Sequence, residues 1–198
     1  MWRGDLQMTA RTEKPASKRE RADTQLTGAQ GEAIVLYELM WRGWVPANVN
    51  QFVRNARNID IIATSEASIP VALSVKTSGK TANGAIRLTA KQKDLAFNRH
   101  KGAQAAFVVF VLIDKTSSKK YRCFVVPTDI AERAVQEAHD HWLRFPKRDG
   151  KPRKDSFKAI QFAGTDSDRN IASAFATKWA DYEDAWDQLK RQPARIGV

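Results

Sequence analysis

Two charged residues stand inside short apolar runs of this 198-residue sequence. Asp60 lies in the run 58–63, and Lys76 lies in the run 71–77. Both runs predict neighbouring β-strands, and a charge buried among apolar side chains is costly unless it is paired or binds an ion. A carboxylate on one strand and an ammonium group on the next suit metal-dependent phosphodiester hydrolysis. A structural salt bridge between the two residues is the alternative interpretation.

Strand alternation brings two residues of the second run towards Asp60. Side chains alternate between the two faces of a strand. Ser74 and Lys76 therefore share one face, while the residue between them points the other way. If the two strands pair in register, both Ser74 and Lys76 project towards Asp60.

A further acidic residue comes from the predicted first helix, which spans about 27–42. Glu32 precedes three apolar residues at offsets of three, four and seven, and such offsets define one face of a helix. These residues are Val35, Leu36 and Leu39. Glu32 is therefore predicted to lie near the edge of the core-facing stripe, with Gly43 ending the helix.

Together these segments resemble the PD-(D/E)xK nuclease superfamily. The resemblance is carried by Gly31-Glu32 on a helix, Asn58-Ile59-Asp60, and Ser74-Val75-Lys76, in that order. It covers about residues 27–126, and the layout looks like the branch of Holliday-junction resolvases and intron-encoded endonucleases. It implies an α/β fold with a restriction-endonuclease-like core, in which helices flank a central mixed β-sheet.

The resemblance also implies a role for each matching residue. Asp60 would be the central metal-binding carboxylate, and Glu32 would bind the metal directly or through its water. The backbone carbonyl of Val75 would be a further ligand. Lys76 would stabilise the charge on the scissile phosphate and help to orient or deprotonate the attacking water. Mg²⁺, or Mn²⁺ in its place, suits such oxygen ligands.

Ser74 departs from the family pattern, which usually has Glu, Asp or sometimes Gln at this place. A serine hydroxyl is a weak, neutral ligand for a hard cation, so metal affinity should fall. Either Glu32 compensates and the protein cuts DNA, or the domain binds nucleic acid without cutting it. Cleavage is favoured because an inactive site has no evident need to keep Asp60 and Lys76 together. A structural or interaction protein, in which these two residues merely pair, is the third hypothesis.

Gln92 falls near the start of a predicted second helix, about 89–102. Related nucleases often place a polar active-site residue there. The sequence Thr89-Ala90-Lys91-Gln92 is also a capping box, in which the glutamine side chain reaches back to the start of the helix. Both interpretations of Gln92 remain open.

The charge balance indicates a polyanionic partner. There are 33 Lys and Arg residues against 22 Asp and Glu, which gives a net charge of +11. Such a surplus favours nucleic acid, with DNA as the expected partner and RNA as an alternative. Phosphate contacts of this kind give affinity and salt dependence, not sequence choice. The expected contacts are Lys80, Arg87, Lys91 and Lys93 beside the cleft, and Lys147, Arg148, Lys151, Arg153 and Lys154 in a basic loop, 144–158.

The chain divides into a basic tail, 1–25, and a single domain, 26–198. The tail is too polar to form a core and is expected to be flexible, either as an arm that follows phosphates or as a solvated segment. Further strands are predicted at about 105–113, 121–126 and 157–162, and helices at about 128–145 and 169–190. The part beyond the 27–126 core is then a helical extension that carries the basic loop.

The cellular setting follows from what the sequence lacks. Cys123 is the single cysteine, so an internal disulfide is excluded. No signal-like segment or membrane-length apolar run is visible, so we expect a cytoplasmic protein without a membrane partner. A homodimer is implied by the resemblance alone, since many enzymes of this type act as dimers.

Overall fold

The computed structural model describes residues 18–52, 59–66, 68–79, 85–88, 105–114, 120–146, 149–153, 158–162 and 179–190. Within these ranges the protein is an α/β fold, with a five-stranded mixed sheet and two α-helices. The helices are α1 (Lys18–Trp41) and α2 (Thr128–Arg144). The strands are β1 (Val45–Asn48), β2 (Ile61–Ser65), β3 (Ser68–Ser78), β4 (Ala85–Leu88), β5 (Phe107–Ile113), β6 (Tyr121–Pro127) and β7 (Lys158–Gln161). Short 3₁₀ helices span Val49–Gln51 and Trp186–Lys190.

The main sheet has the strand order β1-β2-β3-β5-β6. Strands β3 and β5 pair in parallel, and the other neighbours pair antiparallel, so the prediction of a mixed sheet is confirmed. All seven residues of β5 are buried, as its continuous apolar run predicts for a strand covered on both faces. Strands β4 and β7 form a separate antiparallel pair.

Each face of the sheet has its own apolar core, because side chains alternate along the strands. Val109 and Val111 of β5 pack in the cluster that includes Val35 and Leu39 of α1. The even-numbered residues of β5 pack instead with α2, β7 and Trp179. Among the described residues, the second cluster contains none from β2 or β3. The described part of the core beneath α2 therefore does not include that face of β2 and β3.

Helix α1 begins earlier than the sequence predicts. It starts at Lys18, inside the segment predicted as a flexible tail, and not near Thr27. Residues 18–22 are Lys, Arg, Glu, Arg and Ala, all good helix formers, and their charge does not prevent a helix. The predicted stop is confirmed, because Gly43 has φ +77° and the N–H of Trp44 bonds to the carbonyl of Leu39.

The predicted C-terminal helix, 169–190, is wrong over residues 181–190. Residues 179 and 180 are helical, a turn follows them, and a 3₁₀ helix spans Trp186–Lys190, while residues 169–178 lie outside the described ranges. Glu183 forms an isolated β-bridge with Phe124, and Asp184 has φ +52°, which is incompatible with a continuous α-helix. The interpretation of its aromatic residues as core is confirmed for Trp179 and Trp186, which are buried.

Other predicted elements lie close to their expected bounds. Helix α2 and strands β2, β3, β5, β6 and β7 match the sequence pattern to within a few residues. Strand β4 was not predicted, and the helix predicted at about 89–102 lies outside the described residues. Among the helices that the structure describes, none is both long and apolar enough to span a membrane.

Candidate functional site

Asp60 stands directly before β2, where three backbone segments meet. Its N–H donates to the carbonyl of Leu73 at 2.9 Å, and its carbonyl accepts from the N–H of Val49 at 2.9 Å. The chain at Asp60 is therefore fixed between β3 and the 3₁₀ turn that follows β1. This places the carboxylate at the end of the β2–β3 pairing.

The Asp60 carboxylate continues the hydrogen bonding of the sheet beyond the start of β2. Its Oδ2 atom accepts from the N–H of Val75 at 2.6 Å and from the hydroxyl of Ser74 at 3.2 Å. Its Oδ1 atom accepts from Nδ2 of Asn50 at 3.2 Å. Bonds from fixed donors to a charged acceptor are strong, so the carboxylate is held in one orientation.

Strands β2 and β3 pair in the register that brings Ser74 to Asp60. Ile61 pairs with Leu73 and Ile62 with Ala72, so the next pair along the ladder joins Asp60 and Ser74. Ser74 is only 3% exposed, and its side chain points to Asp60 as the alternation of the strand predicts.

Glu32 reaches the same place from α1. Its Oε2 atom accepts from Nδ2 of Asn48 at 2.7 Å, and its Oε1 atom accepts from Nδ2 of Asn50 at 3.3 Å. The residue is half-buried, beside the fully buried positions of the helix, as the sequence predicts. Glu32 and Asp60 therefore share one hydrogen-bond donor, the amide of Asn50.

A close approach of α1 to β3 sets the position of Glu32. A Cβ atom added to Gly31 would lie 1.8 Å from Oγ1 and 2.8 Å from Cβ of Thr77. A Cβ atom added to Gly79 would lie 3.5 Å from the side chain of Thr27, so the helix and strand also touch one helical turn away. A side chain at position 31 would require α1 or β3 to move, so glycine is the residue that suits the position directly before Glu32.

Lys76 lies two residues beyond Ser74 on β3. The alternation of the strand places both on the face that points away from α1. Lys76 and Asp60 are half-buried, and not fully buried as their apolar surroundings suggest. Among the described residues, the core beneath α2 includes none from β2 or β3. Both residues are described, and no ion pair joins them. The predicted alternative of a structural Asp60–Lys76 salt bridge is therefore wrong.

The described residues contain two carboxylates at this place and no third acidic ligand. No group of three or more His, Cys, Asp or Glu side chains occurs among them with the spacing of a metal site. Ser74 contributes a neutral hydroxyl that donates to Asp60. The oxygen donors are thus Asp60 and Glu32, together with the carbonyl of Val75, which shares the edge of β3 from which its N–H meets Asp60.

The predicted nucleic-acid contacts are described only in part. Gln92, Lys80, Lys91, Lys93, Lys147, Arg148 and Lys154 lie outside the described residues, and only the backbone of Arg87 is described, in β4. Lys151 is exposed and 3.6 Å from Asp149. Arg153 donates to the carbonyl of Phe145 at 2.7 Å and stacks on the ring of Trp142. Its guanidinium therefore holds the loop against α2.

Sequence reasoning missed two asparagines of this site. Asn48 caps the 3₁₀ turn by accepting from the N–H of Asn50 at 2.9 Å, and both side-chain amides bond to Glu32. A pair of asparagines spaced two apart after a strand is typical of turns. That signal predicts the cap, but it does not indicate which carboxylates the amides meet.

Comparison with known proteins does not assign a function to this site. No family model matches the chain, and no curated protein matches it. Among solved structures it is similar to that of a bacterial homing endonuclease, I-Ssp6803I, with 16% identity and a TM-score of 0.49. The match covers 85% of this chain and 93% of that chain. A likeness at this TM-score does not establish a common fold, so function has to be inferred from the site itself.

Proposed function

We propose that this protein is a metal-dependent endonuclease that hydrolyses phosphodiester bonds in DNA, on a core of the PD-(D/E)xK type. The observation that carries the proposal is the juxtaposition of Asp60, Glu32 and Ser74 with a lysine, Lys76, that forms no ion pair with Asp60. Because Lys76 forms no ion pair with Asp60, its ammonium group is available to a substrate. It does not stabilise the fold through a salt bridge with that carboxylate.

The donor set fits a hard divalent cation. Asp60 and Glu32 supply carboxylate oxygens, and the carbonyl of Val75 supplies a third oxygen at the edge of β3. Mg²⁺ prefers such ligands and usually keeps several waters, so a site with few protein ligands suits it, and Mn²⁺ can replace it. When bound, the cation would supply a Lewis acid for the phosphoryl oxygens and lower the pKa of water.

The residues of the chain would divide the remaining work. The hydrogen bonds from Val75 and Ser74 to Oδ2 hold the Asp60 carboxylate before substrate arrives, so it needs no reorientation during the reaction. The ammonium group of Lys76 would stabilise the negative charge that builds on the phosphate. The same group would help to orient or deprotonate the nucleophilic water.

The rest of the chain supports a polyanionic substrate. The net charge of +11 attracts a phosphate backbone, and Lys151 is an exposed cation of the basic loop. Lys76 is half-buried and not fully buried, so its side chain keeps some exposure to a substrate, and the described part of the core beneath α2 includes no residue of β3.

One observation favours a second function, that of a nucleic-acid-binding module without catalysis. Ser74 supplies a hydroxyl where the family usually has an acidic residue, and a neutral donor adds no charge to hold a cation. Such a module would retain DNA affinity, but it would bind neither Mg²⁺ nor Mn²⁺ in calorimetry.

The deciding experiment is cleavage of supercoiled plasmid with Mg²⁺ or Mn²⁺ by the wild type, Asp60→Asn and Lys76→Ala. Removing a group that stabilises transition-state charge costs roughly 10²–10³-fold in rate. We therefore expect nicking or linearisation by the wild type and a loss of that order in both variants. Gel shifts without metal should show nearly unchanged DNA affinity.

Lys151→Ala is the matched control, since it removes an equal charge from the basic loop. It should weaken DNA binding and leave the cleavage of bound DNA unchanged. Wild-type activity in Asp60→Asn or Lys76→Ala would refute the proposal. A gel shift without any cleavage by the wild type would favour the binding module.

A further inference from the structure

The side-chain amide of Asn50 lies between the two carboxylates of the candidate site. Its Nδ2 atom is 3.3 Å from Oε1 of Glu32 and 3.2 Å from Oδ1 of Asp60. Asn50 is separated from these residues by 18 and 10 positions in sequence. The contact is therefore a product of the tertiary fold and not of the local turn.

An atom at such distances from both carboxylates lies where a third ligand of a shared cation would lie, since neighbouring oxygens around an octahedral Mg²⁺ are roughly 3 Å apart. Two nearby carboxylates repel each other, and an opposite charge or a hydrogen-bond donor between them lowers that repulsion. The NH₂ group of Asn50 provides this compensation when no cation is present. The carbonyl oxygen of the Asn50 side chain can take the position that its NH₂ group occupies.

An amide carries an oxygen and a nitrogen at equivalent positions, so half a turn about its last side-chain bond exchanges them. That torsion has a broad energy profile, unlike the torsions between tetrahedral carbons. Asparagine carbonyl oxygens are ordinary ligands of hard divalent cations. Asn50 can therefore offer N–H groups to the carboxylates or an oxygen to a cation without movement of the main chain.

We propose that Asn50 is a ligand of the divalent cation, and that its amide oxygen makes up for the acidic residue absent at Ser74. The inference rests on the proposed metal site. It names a ligand outside the PD-(D/E)xK pattern and explains how a site with two carboxylates holds its cation.

The surrounding turn supports this role because it fixes the backbone of Asn50. The N–H of Asn50 bonds to Oδ1 of Asn48 at 2.9 Å, and the N–H of Val49 bonds to the carbonyl of Asp60 at 2.9 Å. The N–H of Phe52 then closes the turn on the carbonyl of Val49 at 3.0 Å. The turn thus positions Asn50 beside the two carboxylates, and only the side-chain torsions of Asn50 remain free to change.

The test is calorimetric binding of Mn²⁺ to the DNA-free full-length protein, with Asn50→Asp, Asn50→Leu and Asn48→Asp. A carboxylate at position 50 offers oxygen alone, so Asn50→Asp should bind Mn²⁺ about tenfold more tightly than the wild type, since affinity rises with ligand charge. Asn50→Leu keeps the approximate size and removes the oxygen, and it should bind roughly 10–100-fold more weakly. Asn48→Asp adds the same charge beside Glu32 and should change affinity much less.

Each result has a defined meaning. Weaker binding by Asn50→Asp would show that Asn50 only positions the carboxylates and would overturn the inference. An equal increase in Mn²⁺ affinity in Asn48→Asp would overturn the inference too. The increase would then come from added negative charge near the site and not from a ligand at position 50. Unchanged affinity in Asn50→Leu, or no Mn²⁺ binding by the wild type at millimolar concentration, would also overturn it. Because Asn50→Asp predicts a gain, a loss of folding cannot imitate the expected result.

The plasmid assay separates this inference from the proposed function. A wild type that binds Mn²⁺ with the expected order of variants but does not cut DNA would refute the nuclease and support the ligand. A wild type that cuts DNA while Asn50→Leu retains full Mn²⁺ affinity would support the nuclease and refute the ligand.

Discussion

The two faces of β3 differ in polarity and in the residues that they contact. The odd-numbered residues Val71, Leu73 and Val75 are at most 8% exposed and pack in the core beneath α1. On the other face, Ser74 bonds to Asp60, and Lys76 is half-buried without an ion pair to that carboxylate. One strand thus supports the fold with one face and presents the candidate site with the other.

This difference teaches how a strand can carry charged residues at low cost in stability. Alternation of side chains separates the two functions by a single residue, so the apolar face need not be interrupted. Asp60 avoids the cost of an unpaired buried carboxylate because it replaces the missing strand partner of Val75. Substitutions on the two faces should therefore affect different measurements.

The largest difference is expected between Leu73→Ala and Lys76→Ala. Leu73 is 0% exposed, and deleting such a side chain costs about 2–5 kcal/mol of unfolding free energy through lost packing and the cavity left behind. Lys76→Ala should stay within about 0.5 kcal/mol of the wild type, as substitutions outside the core usually do. Urea unfolding measures both variants. A similar loss in Lys76→Ala would mean that Lys76 supports the fold and would remove the contrast between the faces.

A second pair of variants tests how closely α1 must approach β3. Gly31→Ala would place Cβ 1.8 Å from Oγ1 of Thr77, so the helix has to shift, and such overpacking costs roughly 1–3 kcal/mol. The shift would also displace Glu32 and lower the cleavage rate.

Gly28→Ala is the control on the same helix. A Cβ atom there meets nothing within 4 Å, and replacing glycine by alanine inside a helix stabilises by up to about 1 kcal/mol. Thermal unfolding of the two variants should therefore move in opposite directions. A Gly31→Ala protein as stable as Gly28→Ala would contradict the close approach.

The smallest effects are expected for two neighbours in β2. Ile61 is fully buried beneath α1, whereas Ile62 is 39% exposed on the face that carries the site. Ile61→Val should cost about 0.5–1.5 kcal/mol, because a buried methyl group is lost. Ile62→Val should stay within about 0.5 kcal/mol of the wild type. Chemical denaturation distinguishes them, and equal losses would show that both faces of β2 are packed alike.

Much of the fold could be predicted because its signals are local. The continuous apolar run of β5 predicts a central strand, and it lies between β3 and β6 with all its residues buried. The C-terminal segment could not be predicted in this way. Its aromatic spacing suits a helix, yet Glu183 bonds through both carboxylate oxygens to Arg122 and bridges to Phe124 across the edge of β6. A contact with a strand some 60 residues away overrides a local preference.

The sequence by itself determined the alternating faces of β3, with Ser74 and Lys76 on the same one, and the position of Glu32 beside the buried stripe of α1. These features depend on the periods of strands and helices, which are properties of the local backbone. The tertiary structure alone decided that Ser74 lies opposite Asp60, that Asn50 touches both carboxylates, and that the described core beneath α2 includes no side chain of β2 or β3. These features depend on how the 3₁₀ turn and α2 pack against the sheet, and the periodicity of the local sequence does not specify that packing.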